Sequence, residues 1–128
     1  MATIQALGGA GLPVLLQQLL GYDVATALTA TGTTRTDAYA LTASLSVFGT
    51  VASGTGAVLP AITSAGNPQY QQFWLVKNDG ANDLKVYASG SDTISGTAGS
   101  TGVTVVSAEG ALFAQVSGTA WIVFPMGT

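Results

Sequence analysis

From Thr26 onward, short apolar stretches are cut at close intervals by glycine and Asp/Asn turn residues, in a background of Thr, Ala, Val and Gly. That spacing leaves little room for helices and predicts an all-β fold. In 39–47, Tyr39, Leu41, Ala43, Leu45 and Val47 alternate with Thr42, Ser44 and Ser46. Such a period of two describes one strand with a core face and a wet face. Ser53-Gly54-Thr55-Gly56 turns the chain into a strand at 57–59, and Pro60 ends that strand or places it on an edge. Further strands are expected at 72–78, 84–88, 93–95, 103–107, 111–116 and 121–125. Eight or so short strands with glycine turns suggest a β-sandwich or a small jelly-roll-like barrel. Residues 64–69, with Gly66 and Pro68, form the longest candidate loop.

Residues 1–25 differ in character. Leu12, Leu15, Leu16, Leu19 and Leu20 fall at i, i+3, i+4, i+7 and i+8, the apolar stripe of an amphipathic helix, with Pro13 suited to its first turn and Gly21 to its end. A helix this short needs burial to persist. Its stripe either caps the domain's own core or docks on a partner chain. The chain is thus divided into an N-terminal arm with a short amphipathic helix, 1–25, and a β-sandwich domain, 26–128. The first positive charge is Arg35, so a secretory signal with its basic start is not expected, and the run is too short to span a bilayer. A soluble protein without a membrane partner is expected.

Composition then narrows the chemistry. The 128 residues include three basic and six acidic side chains, no His and no Cys. Imidazole bases, thiol nucleophiles, disulfides and the common zinc ligand sets are therefore excluded. Three cations are too few for the phosphate contacts that nucleic acid demands. Ser and Thr are abundant, but no Ser-x-x-Lys or Gly-x-Ser-x-Gly pattern accompanies them, and the carboxylates are scattered at turns. Asp79, Asn82 and Asp83 lack calcium-loop spacing, and the Gly-rich stretch 95–102 has no phosphate-binding lysine and is expected to be a loop. The expectation is a protein that is not an enzyme and holds no cofactor or metal.

The segments 72–78 and 84–88, joined by Asp79-Gly80-Ala81-Asn82-Asp83, suggest a hairpin. Placing Val76 opposite Val86 puts Trp74, Val76, Leu84, Val86 and Ala88 on a core face. Phe73, Leu75, Lys77, Lys85 and Tyr87 then share the other face, with the two lysines directly across from one another. Facing like charges are unfavourable unless an acid lies between them. Either this face binds another chain, its lysines meeting that chain's carboxylates, or Asp79, Asp83 or the helical segment covers it locally. In the C-terminal pair, Leu112, Ala114, Val116, Trp121 and Val123 are expected on one face, with Phe113, Ile122 and Phe124 around Gln115 on the other. Strands apolar on both faces are buried on both, which a chain this small achieves most easily by oligomerising.

The order of Ala-Leu-Thr-Ala-Thr-Gly at 27–32, Ala-Leu-Thr at 40–42, Gly-Thr-Gly-Ala-Val-Leu-Pro at 54–60, Val-Lys-Asn-Asp-Gly-Ala-Asn-Asp-Leu-Lys-Val-Tyr at 76–87 and Trp-Ile-Val at 121–123 resembles a β-sandwich module of tailed-bacteriophage structural proteins. That group includes capsid decoration (cement) proteins and fibre-associated domains. The resemblance spans about residues 26–125 and leaves 1–25 uncovered. It implies a homotrimer that binds the major capsid protein on the outer surface of the virion after synthesis in the host cytoplasm. The partner-binding residues expected are Leu12, Leu15, Leu16, Leu19 and Leu20 of the arm, with Phe73, Leu75, Lys77, Lys85 and Tyr87 of the sandwich. A receptor- or glycan-binding module of a tail or head fibre is the alternative; Tyr70, Trp74, Tyr87 or Trp121 exposed in a groove would mark it.

Overall fold

The computed structural model describes residues 24–62 and 73–127. The Leu stripe at 12–20 and the loop at 64–69 lie outside the described residues. Among those described, there is no helix, and eleven strands build two sheets. The protein is an all-β sandwich. The strands are β1 (Val24–Thr29), β2 (Tyr39–Ala40), β3 (Leu45–Thr50), β4 (Gly56–Val58), β5 (Phe73–Asn78), β6 (Leu84–Tyr87), β7 (Thr93–Ile94), β8 (Thr97–Ala98), β9 (Val103–Val105), β10 (Gly110–Gln115) and β11 (Ala120–Met126). The seven-stranded sheet runs β1-β3-β5-β10-β11-β7-β8 and the four-stranded sheet β2-β4-β6-β9.

From β1 to β6 the chain swings between the sheets at every step. Odd strands join the larger sheet through parallel β1–β3 and β3–β5 ladders, and even strands join the smaller through parallel β2–β4 and β4–β6 ladders. The first half is therefore a flattened coil, and the antiparallel pairs β5–β10, β10–β11 and β6–β9 complete the sheets. Parallel neighbours require a crossover, and here the opposite sheet supplies it.

This coil corrects the expected hairpin. β5 and β6 lie in different sheets, so Val76 pairs with Ala111 and Val86 with Ala57 and Val103, not with each other. The inward set was nevertheless right: Val76, Leu84, Val86 and Ala88 are buried in the core, with Trp74 packed against it. They meet across the sandwich instead of side by side. Consequently Lys77 and Lys85 lie on opposite outer faces of the molecule. Asn78 holds the crossing: its buried amide donates to Asn82 O at 2.8 Å and Val105 O at 2.9 Å, and its Oδ1 accepts from Gly80 N at 2.9 Å. Gly80 sits so close to Val51 that a Cβ there would lie 2.6 Å from the valine side chain.

The expected strand over 39–47 is also two strands. β2 belongs to the small sheet and β3 to the large one, and the chain changes layers between them. Past this break the inward parity reverses. Ser46 and Phe48 are buried, whereas Leu45 and Val47 turn to the outer face. The Tyr39 ring meets Phe48 edge-on, centroids 5.5 Å apart, tying the two sheets across the core. Thr97–Ala98 pairs with Thr93–Ile94, so the glycine-rich stretch expected to be a loop contains a strand.

The C-terminal pair forms a hairpin in a register one residue from that expected. Phe113 faces Val123 and Gln115 faces Trp121, so these four share the inner side, and Leu112, Ala114, Ile122 and Phe124 share the outer. A one-residue slip exchanges every side chain between faces. The turn sets the register: Val116 N–H donates to Ala120 O at 3.0 Å, and Ser117 Oγ accepts from Thr119 N at 3.2 Å.

Candidate interaction surface

The ladders of the larger sheet align its outward side chains in rows. Val24, Leu45, Leu75, Leu112 and Phe124 form one row across β1, β3, β5, β10 and β11. Beside it lie Phe73, Ala114 and Ile122 on one side and Val47, Lys77, Gly110 and Met126 on the other. Phe73 is 58% exposed, Phe124 52%, Met126 42% and Ile122 36%. Scattered exposed apolar residues are ordinary, but neighbouring ones in register make a contiguous patch. Lys77 is the only charged side chain in these rows. Its Nζ lies 2.8 Å from Asp79 Oδ1 and donates to Ala108 O at 2.8 Å, so it stands at the rim already neutralised.

Of the residues expected to bind a partner, Phe73, Leu75 and Lys77 meet on this face. Lys85 and Tyr87 do not; they lie on the outer side of the small sheet. Tyr87 is moreover buried there. Its ring occupies a notch between two glycines, since a Cβ at Gly56 would come 2.9 Å from the ring and one at Gly102 2.8 Å. Its hydroxyl donates to Thr33 O at 3.3 Å. Lys85 lines a shallow groove with Thr55, Asp83 and Thr104. Val24, Leu45, Val47, Leu112, Ile122, Phe124 and Met126 belong to the apolar face but were absent from the expected set. Alternation of Ile122, Phe124 and Met126 with Trp121 and Val123 is the sequence signal for part of it.

The carboxylates of Asp37, Asp79, Asp83 and Asp92 serve local structure. Asp83 Oδ1 accepts from Ser107 N at 3.2 Å, and Asp92 Oδ2 accepts from Ile62 N at 3.2 Å. The Thr34 hydroxyl and then the Thr34 N–H, each 2.8 Å from Asp37 Oδ1, hold the Asp37 carboxyl below its ordinary value of 3.8. Asn82 donates to Val51 O at 2.9 Å, so the 79–83 loop uses its polar side chains to fasten the crossing between sheets. Among the described residues no group of three acidic side chains is placed to hold a metal ion.

A two-layer β-sandwich with one extended apolar outer face is what fold and surface together define. Compared with protein-family models, curated proteins and solved structures, the chain matches none.

Proposed function

We propose that this protein is a non-enzymatic virion structural protein, a capsid decoration protein that assembles as a homo-oligomer and stabilises the major capsid protein lattice of a tailed bacteriophage. The apolar outer face of the larger sheet carries the reading, because a contiguous apolar patch of several hundred Å² is often an interaction surface. The segments that carry the family resemblance support it from a second direction. Four of the five are hydrogen-bonded in one series: Thr31 bridges Gly56, Leu41 N–H donates to Val58 O at 3.0 Å, and Gly56 pairs with Lys85. Many individually weak contacts, repeated in each copy of an oligomer, give firm attachment through avidity.

The aromatic residues favour this reading over a glycan-binding fibre module. Trp121 and Tyr87 are buried and Trp74 packs against the core, which removes them from a sugar-stacking role; Tyr70 lies outside the described residues. Quantitative mass spectrometry of purified particles tests the proposal. Copy numbers comparable to the major capsid protein are expected. A few copies per particle would point to a fibre or neck component, and none would overturn a virion role.

A further inference from the structure

We infer that the apolar outer face of the larger sheet is where copies of this chain bind one another. The inference rests on the reading of the protein as an assembling one and assigns that assembly to a surface. Phe73 and Phe124, each just over half exposed, leave about 100 Å² of surface apiece in water. With Ile122, Met126 and the half-buried Leu45, Val47, Leu75 and Leu112, the patch reaches about 500 Å². Two such patches in contact remove about 1,000 Å² from water, the size at which specific interfaces begin.

Charge permits the same surface to meet itself. A face carrying net charge repels its own copy, but here the one cation, Lys77, is paired with Asp79 at the rim. Two copies therefore approach without opposing like charges. The open sides of β1 and β11 in the larger sheet are poorer routes to association. The β1 ladder is broken by register shifts around Ala27, whose φ is +57°. Beyond Trp121 the open side of β11 carries Pro125, which has no N–H to offer, while Val123 N–H donates to Ser95 Oγ at 3.0 Å. Blunted edges and an apolar face direct association through the face.

Sedimentation equilibrium of the full chain between about 1 and 200 µM is the test, the range in which an interface of this modest size dissociates. Wild type is expected as a dimer, the closed form of a face that meets its own copy. Phe124→Glu places a charge on an exposed position and should raise the dissociation constant at least about 100-fold. Thr104→Glu, on the outer side of the small sheet, should leave it unchanged, with circular dichroism confirming the β signal of both variants. If Phe124→Glu fails to fold, Phe73→Lys replaces it. A monomeric wild type, a folded Phe124→Glu that still associates, or dissociation by Thr104→Glu would each overturn the inference. Particle binding is scored separately: a monomer that still decorates shells overturns this interface alone, whereas a face-dependent oligomer absent from particles supports it and overturns the proposed function.

Discussion

Gln115 and Trp121 face each other across the β10–β11 ladder, and each has a buried polar atom without a hydrogen-bond partner, the Gln115 Oε1 and the Trp121 Nε1. An acceptor and a donor are thus both desolvated at one position of the core. Leaving such a group unpaired costs about 1–3 kcal/mol, more than a typical hydrogen bond contributes. Gln115 retains one bond, from Nε2 to Ser117 O at 3.2 Å. Gln115→Met removes that bond together with the orphaned carbonyl at similar volume. Unchanged or higher stability, by up to about 1 kcal/mol, is expected in urea denaturation. Trp121→Ala, which empties a fully buried site, should cost about 3–5 kcal/mol.

Asn78 presents the opposite case, a buried amide fully engaged. Asn78→Ala would strand Gly80 N, Asn82 O and Val105 O where the chain crosses between sheets. A loss of about 3 kcal/mol is expected, read as a lower denaturation midpoint with little change in slope.

Two alanine substitutions separate packed glycines from free ones. Gly80→Ala drives a methyl into Val51 and should destabilise by about 1–3 kcal/mol. Gly118→Ala meets nothing within 4 Å and needs no left-handed backbone, so melting should be unchanged or raised by up to about 1 kcal/mol. Equal effects of the two in thermal melts would show that the packing around Val51 is wrong.

Asp37 gives the acid response a predictable sign. Its carboxyl is held below 3.8 by Thr34, so the stability it contributes is complete above that value and is lost as pH falls through the lower folded value. Asp37→Asn should therefore flatten the fall in melting temperature below about pH 4, and Thr34→Val should act in the same direction. The group is fully exposed, so the change is small, and a steeper acid limb in Asp37→Asn would contradict the assignment.

The sequence by itself determined that the chain is all-β and which side chains of β5 and β6 point inward. The pleat is local: a period of two sorts Trp74 and Val76 from Phe73 and Leu75, whatever strand lies alongside. It also marked Phe73, Leu75 and Lys77 as neighbours on a second, partly apolar face. Strand partners were decided only in the tertiary structure, because backbone N–H and C=O groups pair without regard to side-chain identity. Five turn residues at 79–83 can close a hairpin or carry the chain to the opposite sheet, and Asn78, reaching Val105 O from distant sequence, fixes the second path. The same non-local choice sent Lys77 and Lys85 to opposite faces, split 39–47 between layers, and set Leu112 and Phe124 beside Leu75. The apolar face exists only because strands far apart in sequence lie in register, which no local periodicity records.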